Sequence, residues 1–263
     1  MRPNRLRELM RSGTPILNAW LAIPSSYSAE VMGHQGYDSV TVDLQHGMIG
    51  FDAAVPMLQA ISATPAVPLV RVSQNDYALV MQLLDAGAYG VICPMISTPE
   101  EALRFVSYCR YPPAGQRSYG PARGLLYGGA DYFRKANDEI LTLAMLETRE
   151  AVASADRIIA TPGLDGIYVG PNDLCLAYGR DPMPETDDAE VSGVIADLAR
   201  RTRVAGKLAG IFCSSGEGAR KRIADGFSMV TPGNDVSLLV GGSRQALAAI
   251  RNTADALSSK TGY

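Results

Sequence analysis

The stretch VPLVRVSQNDYALVMQLLDAGAYGVICPMISTPEEA (67–102) decides the fold of this 263-residue chain. Two apolar, β-branched runs, VPLVRV (67–72) and GVICPMI (90–96), flank DYALVMQLLDAG (76–87), whose apolar residues have helical spacing. The glycine that ends this segment precedes the second run, as a helix C-cap does. Near-continuous apolar runs are typical of strands buried on both faces of a parallel sheet. The stretch therefore predicts a strand–helix–strand unit.

The same alternation continues along the whole chain. Eight strand-like runs are present: ILNAWLAI (16–23), SVTVDLQH (39–46), VPLVRV (67–72), GVICPMI (90–96), LTLAMLE (141–147), GIYVG (166–170), LAGIFC (208–213) and FSMVTP (227–232). Helical segments lie between them, and TPEEA (98–102) has the spacing of a capping box at Thr98 and Glu101. Eight cycles predict a single (β/α)8 TIM barrel over residues 1–263. The alternative is an open doubly wound sheet, but no G-x-G-x-x-G follows the first strand.

Composition excludes several classes of protein. A net charge of −3 gives no basic field for nucleic acid. No run approaches the roughly 18 uninterrupted apolar residues of a membrane span, and the first fifteen residues lack a signal-peptide core. The four cysteines have long, uneven spacings that match neither a zinc site nor a disulfide framework. We expect a soluble, cytoplasmic protein that acts on small molecules and binds neither nucleic acid nor membranes.

Polar residues stand at the carboxyl ends of several strands, where the active sites of such barrels form. They are Trp20 on the first strand, Asp43, Gln45 and His46 on the second, Arg71 on the third, Glu147 on the fifth, and Gly170, Pro171, Asn172 and Asp173 after the sixth. A barrel brings these distant positions to one rim. Their convergence predicts a site there.

Two acids of this rim, Glu147 and Asp173, come from neighbouring strand ends. Two carboxylates, completed by water and substrate oxygens, suit Mg²⁺ or Mn²⁺. A salt-bridged pair, with Arg149 for example, is the alternative. Arg71 ends an apolar strand, which is a costly place for a charge unless it meets an anion or forms a structural ion pair.

The two histidines differ in position. His34 lies in a helix–loop stretch and is interpreted as structural, whereas His46 lies on the predicted rim. Asp85 lies near the end of a predicted helix. Its carboxylate could orient an imidazole, but a position on a helix is also typical of an exposed surface acid. The sequence therefore singles out His46 and leaves Asp85 open.

Six stretches of the chain, taken in order, resemble one known family. They are DLQHG (43–47), VPLVRV (67–72), LLDAGAYGVICPMISTPEEA (83–102), RYPPAGQRSYG (110–120), LETREA (146–151) and LDGIYVGPNDL (164–174). The family is the HpcH/HpaI aldolases, metal-dependent class II enzymes that act on pyruvate-like donors. The motifs QHG, RSYGPAR and AMLETREA are most similar to its hydroxy-keto-acid aldolase branch.

This resemblance implies a role for each rim residue. Glu147 and Asp173 would bind a divalent metal (Mg²⁺, Mn²⁺ or Co²⁺). Arg71 would stabilise an enolate, His46 would be the general base, and Asp85 would raise the basicity of His46. Substrate would contact Trp20, Met145 and the turn Gly170, Pro171, Asn172 and Asp173, whose backbone amides would meet the donor carboxylate. The reaction implied makes or cleaves 4-hydroxy-2-keto acids from a pyruvate- or hydroxypyruvate-like donor and an aldehyde.

Two departures from the family pattern bear on the substrate. Met145 stands where relatives that degrade aromatic catabolites carry a substrate-contacting glutamine, and Gln45 stands where an acid commonly precedes the rim histidine. Both changes make the rim less polar or less charged. We therefore do not expect the seven-carbon dicarboxylic substrate of those relatives.

Two segments outside the rim are candidates for contacts between subunits. The long connection 112–140 carries Arg117, Tyr119 and Arg123, which either approach the acceptor or a neighbouring subunit or are surface groups. The C-terminal helix, 236–257, has one apolar stripe. Packing on its own barrel would explain that stripe, but the resemblance implies exchange of this helix between subunits of a hexamer.

Three other functions stay open at this point. A citrate-synthase-like or other lyase acting on oxaloacetate and CoA would need a basic groove, and the sequence has no lysine cluster for one. A phosphoenolpyruvate enzyme would need several arginines near the metal, where the rim offers mainly Arg71. A non-catalytic oligomeric binding protein is disfavoured because Glu147, Asp173, Arg71 and His46 occur together.

Overall fold

The computed structural model describes residues 1–258, with side chains described to Arg251, so the last five residues of the predicted domain lie outside the described part. Eight parallel strands close into a barrel in sequence order, and β1 pairs with β8. They are β1 Ile16–Leu21, β2 Ser39–Asp43, β3 Val67–Arg71, β4 Gly90–Cys93, β5 Leu141–Leu146, β6 Gly166–Val169, β7 Leu208–Cys213 and β8 Met229–Pro232. The predicted TIM barrel is confirmed, and the open sheet is wrong.

Thirteen helices lie within the described residues. They are α1 Arg5–Ser12, α2 Ser26–Gly33, α3 Phe51–Ser62, α4 Tyr77–Asp85, α5 Pro99–Cys109, α6 Ala122–Gly128, α7 Tyr132–Glu139, α8 Arg149–Ala153, α9 Ala155–Ile159, α10 Pro171–Ala177, α11 Ala189–Val204, α12 Gly216–Ala224 and α13 Asp235–Ser258. The capping box predicted at the start of α5 is present, because Thr98 and Glu101 exchange hydrogen bonds. None of these helices has both the length and the apolarity needed to cross a membrane.

A hydrogen-bonded polar cluster fills the interior of the barrel. The Asn18 carboxamide donates to Thr231 Oγ1 at 2.9 Å and accepts from Ser39 and Thr41, and Tyr168 Oη lies 2.7 Å from the same Thr231 oxygen. All five side chains are fully buried, so each needs a partner and each has one. The cluster therefore forms a fixed floor beneath the strand ends.

The long connection contains α6 and α7 and stays at the amino-terminal face of the barrel. Arg117 is buried between the rings of Tyr111 and Tyr132 and donates to Asp85 at 2.7 Å. Arg123 donates to Ala86 O at 2.7 Å, just beyond the end of α4. Interpretation of these two arginines as free surface charges is wrong, since both are used inside the fold. Contact with a neighbouring subunit stays a prediction.

Asp165, just before β6, joins three segments at the same face. Its carboxylate accepts from Arg7 Nη1 at 2.8 Å, from Arg110 Nη2 at 3.2 Å and from the backbone of Thr142 at 2.9 Å. Arg110 is buried, so its charge depends on this carboxylate. Removal of one partner of a buried pair is costly because the other charge is left uncompensated.

We predict that Asp165→Ala lowers the free energy of unfolding by about 3 kcal/mol, measured by urea denaturation. Asp156→Ala is the matched control, because Asp156 is exposed and forms only a 3.6 Å surface pair with Arg201. The control should change stability by less than about 0.5 kcal/mol. Equal small effects of both substitutions would show that Asp165 does not hold these segments together.

Candidate active site

A cavity of about 220 Å³ opens at the carboxyl ends of the strands. It is lined by Trp20, Ala22, Asp43, His46, Arg71, Met145, Tyr168, Gly170, Pro171, Asn172, Asp173, Phe212 and Asn234. A larger cleft of about 500 Å³ beside α12 contains none of the predicted site residues. We take the smaller cavity as the site, because nine predicted rim and substrate-contact residues, more than a hundred positions apart at the extremes, converge on it.

Arg71 and Asp43 form the closest charge pair in this cavity. They are partners in the register of β2 and β3, so their side chains leave adjacent strands at the same level. Arg71 Nε donates to Asp43 Oδ1 at 2.8 Å and Nη2 donates to Oδ2 at 2.6 Å. Both side chains are buried. The third guanidinium nitrogen, Nη1, has no carboxylate partner and donates a weak hydrogen bond to Met145 Sδ at 3.9 Å.

The Asp43 carboxylate also accepts from Trp20 Nε1 at 3.1 Å and from the backbone nitrogens of Gln45 and His46. Burial alone would raise the pKa of Asp43, but the hydrogen bonds and charge of Arg71 outweigh burial, so the pKa lies below its usual value. Asp43 therefore stays ionised. Sequence reasoning placed Asp43 on the rim and gave it no role; its pairing with Arg71 across neighbouring strand ends was the available signal.

Glu147 is buried just after β5, and none of the ion pairs found within the described residues includes it. Burial raises the pKa of its carboxyl group to about 7, and the negative charge of Asp173 adds to the rise, whereas the hydrogen bond from Met95 opposes it. The Met95 backbone N–H donates to Glu147 Oε1 at 2.8 Å, and Met95 itself has a positive φ of 56°. The alternative salt bridge with Arg149 is absent, because that guanidinium donates to Ala177 O and lies over Tyr178.

The surroundings of Glu147 fit a divalent cation. Gly170 lines the cavity, and a Cβ there would collide with Glu147 Oε2, so glycine leaves the space that this carboxylate occupies. Glu147 itself is buried and does not line the cavity. Asp173, in the first turn of α10, contributes the second acid. Within residues 1–258 no cluster of three or more acidic, histidine or cysteine ligands exists. A two-carboxylate set with positions left for water and substrate is the arrangement that Mg²⁺ uses.

The structure brings His46 to the cavity and leaves Asp85 elsewhere. His46 lines the mouth, and among the described residues its imidazole has no hydrogen bond to the protein. Asp85 ends α4 at the opposite face, where its carboxylate is paired with Arg117. The two residues are therefore not in contact within one chain. The role assigned to Asp85 stays a prediction.

Four lining residues were not predicted. Phe212 is the next-to-last residue of β7 and packs edge-on against Trp20 at 5.8 Å, while Tyr168 lies 5.5 Å from the same ring. Asn234 follows β8, and Ala22 follows β1. Phe212 stands at the end of its strand-like run, so the rule applied to the polar residues would have found it had apolar residues been considered.

Comparison with known proteins agrees with this geometry. A family model described as HpcH/HpaI aldolase/citrate lyase matches residues 17–241. The chain belongs to this family.

Individual relatives cover almost the whole chain. A hydroxypyruvate/pyruvate aldolase from Rhizorhabdus wittichii is 43% identical over 94% of this chain and 99% of its own length. A 4-hydroxy-2-oxo-heptane-1,7-dioate aldolase from Klebsiella pneumoniae is 36% identical over 94% of this chain and 93% of its own. The crystal structure of a family member from Burkholderia cenocepacia superposes with a TM-score of 0.89 at 32% identity, covering 94% and 99%. Each of these similarities covers 94% of this chain.

We predict that Gly170→Ala weakens Mn²⁺ binding by at least about tenfold, because the new methyl group displaces the Glu147 carboxylate. Isothermal titration calorimetry measures the affinity. Gly193→Ala in α11 is the control, since a Cβ there meets nothing within 4 Å. Equal Mn²⁺ affinity in both variants would show that Glu147 does not bind the cation from this position.

Proposed function

We propose that this chain is a divalent-metal-dependent class II aldolase. It cleaves or forms 4-hydroxy-2-keto acids from a pyruvate- or hydroxypyruvate-like donor and an aldehyde. The observation that carries the proposal is that the buried Glu147 carboxylate lies against the cavity-lining Gly170 and within electrostatic reach of Asp173 and Arg71, which both line the cavity. The names of the Rhizorhabdus and Klebsiella relatives support it.

Glu147 and Asp173 would hold the metal. When bound, Mg²⁺, Mn²⁺ or Co²⁺ supplies Lewis-acid polarisation of the donor's 2-keto oxygen, which makes the adjacent C3 protons more acidic. The donor carboxylate would lie against α10. The first-turn amides of that helix have no intrahelical partner, and Pro171 has no N–H, so Asn172 and Asp173 present the available donors.

Arg71 stabilises the negative oxygen that develops on the donor as the enolate forms. Its Nε and Nη2 are occupied by Asp43, so Nη1 is the nitrogen directed at the substrate. A fixed positive group in a site shielded from water stabilises such charge more than it would in bulk solvent. The stabilisation is pre-organised, because the guanidinium is already held before the donor binds.

His46 acts as the general base at the cavity mouth. In condensation it removes a C3 proton from the donor, directly or through a water molecule, and in cleavage it takes the proton of the C4 hydroxyl. No lysine lines the cavity among the described residues. The residues present therefore favour the enolate route over a Schiff base.

The walls of the cavity favour a small, uncharged acceptor. Trp20, Met145 and Phe212 provide apolar surface, and Arg71 is the one cation that lines the cavity in the described part of the chain. Since Arg71 is already paired with Asp43, a second carboxylate on the acceptor would lack a partner in this chain. This supports a hydroxypyruvate- or pyruvate-type aldolase reaction rather than one on a seven-carbon dioate.

We also propose that the chain forms a homo-oligomer, a hexamer by analogy with the family, in which α13 is exchanged between subunits. The support is the exposure of apolar side chains on this helix, among them Leu239, Leu247 and Ile250. Such a patch on one long helix marks an interaction surface. The side chains of residues 252–257 lie outside the described ones. A monomeric mass in sedimentation equilibrium would contradict this proposal.

Removal of divalent metal should abolish pyruvate release from 4-hydroxy-2-keto acids, and Mg²⁺, Mn²⁺ or Co²⁺ should restore it. The reason is that the proposed metal would supply the Lewis acid that polarises the donor's 2-keto oxygen, a role that Arg71 alone does not fill. A coupled lactate dehydrogenase assay follows the pyruvate, with the coupling enzyme tested alone in the same chelator. Full activity in excess chelator would rule out the proposed mechanism.

Arg71→Ala should lower the rate of aldol cleavage by about 10²–10³, the usual effect of losing one pre-organised donor. Exchange of the donor's C3 protons with deuterium, followed by NMR, should slow to a similar extent because it passes through the same enolate. Arg149→Ala, which removes an arginine held away from the cavity, is the control. If aldol cleavage fails while proton exchange persists, Arg71 serves the acceptor instead.

A further inference from the structure

Five donors converge on the carboxylate of Asp43, a residue that touches neither the proposed metal ligands nor a lysine. Two come from Arg71, one from Trp20 and two from the backbone of Gln45 and His46. Only two of these five donors belong to the guanidinium, so Asp43 does more than neutralise Arg71. The arrangement instead links the three groups that surround the reacting atoms.

We propose that Asp43 is a positioning residue of the reaction, which fixes the Arg71 guanidinium so that Nη1 alone faces the donor and fixes the backbone that carries His46. The proposal rests on the aldolase function proposed above. It assigns to Asp43 an effect exerted through Arg71 and His46, without contact with the metal.

The hydrogen bonds to Arg71 define the plane of its guanidinium. A bidentate pair with a carboxylate fixes both the position and the rotation of the group, as a single bond would not. The Trp20 ring lies 4.9 Å from Arg71 Cζ, so the guanidinium is also held from one face. Trp20 Nε1 donates to Asp43 Oδ2, and this oxygen thus holds both the guanidinium and the ring that covers it.

The other carboxylate oxygen, Oδ1, fixes the backbone that carries His46. Asp43 Oδ1 accepts from Gln45 N at 3.0 Å and from His46 N at 3.3 Å, which turns the chain just after β2. Side chains of aspartate commonly fix a turn in this way. Oδ1 also accepts from Arg71 Nε, so the separation of Arg71 from the His46 backbone is set by one atom.

Neutralisation and positioning of Arg71 by Asp43 can be told apart, because removal of the Asp43 charge changes the affinity for an anionic ligand in opposite directions in the two cases. If Asp43 served only to neutralise Arg71, removal of its charge would make the cavity more positive and tighten the binding of anions. If Asp43 positions Arg71, the same removal lets the guanidinium move and weakens the binding of a ligand that needs Nη1 in one place. Oxalate, which has the shape and charge of a pyruvate enolate, is the probe.

Asp43→Asn is the decisive substitution. Asn Oδ1 can still accept from Gln45, His46 and Arg71 Nε, but Nδ2 cannot accept from Arg71 Nη2 or Trp20. We expect kcat for aldol cleavage to fall by about 10- to 100-fold and the Kd of oxalate, measured by calorimetry with Mn²⁺ present, to rise by at least about tenfold. Mn²⁺ affinity itself should change by less than about twofold, since Asp43 is not a ligand. Unchanged kcat with equal or tighter oxalate binding would overturn the proposal.

A double-mutant cycle tests whether the effect passes through Arg71. In an Arg71→Ala background, Asp43→Asn should add little further loss in oxalate affinity; full additivity would contradict the positioning role. Asp38→Asn is the control, because Asp38 precedes β2 at the opposite end from Asp43 and there pairs with Arg5 and accepts from the backbone of Leu17. It should leave kcat and oxalate binding unchanged.

Two further measurements keep the result interpretable. If Asp43→Asn does not fold by circular dichroism, Asp43→Glu, which keeps the charge and shifts it by one methylene, replaces it with the same expected loss of oxalate affinity. Absence of pyruvate release by the unmodified protein would refute the aldolase function. The comparison of oxalate binding between variants would still decide the role of Asp43.

Discussion

A charge removed from water needs a partner, and the two buried charges of this rim meet that requirement differently. Arg71 is paired by Asp43 across neighbouring strands, so it is held in one orientation and its pairing is complete within the chain. Glu147 has one backbone hydrogen bond and another acid nearby, so its pairing is incomplete. The Arg71 guanidinium is therefore fixed in place, whereas the Glu147 carboxylate would be stabilised by a bound cation. The proposed chemistry follows from that difference.

The barrel, and the rim residues that it gathers, were predictable because both depend on strand order. Near-continuous apolar runs indicated parallel strands, and the carboxyl ends of such strands meet at one edge whatever the loops do. Arg71, His46, Asp173 and Met145 accordingly line one cavity. The proposed metal ligands, Glu147 and Asp173, came from strand position and resemblance, but the buried state of Glu147 without an ion pair could not be predicted.

What the sequence could not predict depends on side-chain geometry across elements. Arg117 and Arg123 were left open between contacts with the acceptor or a neighbouring subunit and a surface position, yet Arg117 is enclosed by tyrosine rings and Arg123 donates to the carbonyl of Ala86 at the end of α4. Asp85 was linked to His46 only by resemblance, and the chain places it at the other face in a pair with Arg117. A strand pattern specifies which end of the barrel a residue occupies only when the residue lies on a strand.

The polar floor formed by Asn18, Thr231 and Tyr168 has a consequence for how this active site can diverge. Asn18 and Thr231 each hold two or more buried partners, so loss of either leaves other buried groups with unmet hydrogen bonds. We therefore expect substitutions that change the substrate at the strand ends, where Ala22, Phe212 and Asn234 line the cavity and take no part in the polar cluster. A barrel built in this way can change which substrate it binds at the strand ends while its polar floor stays the same.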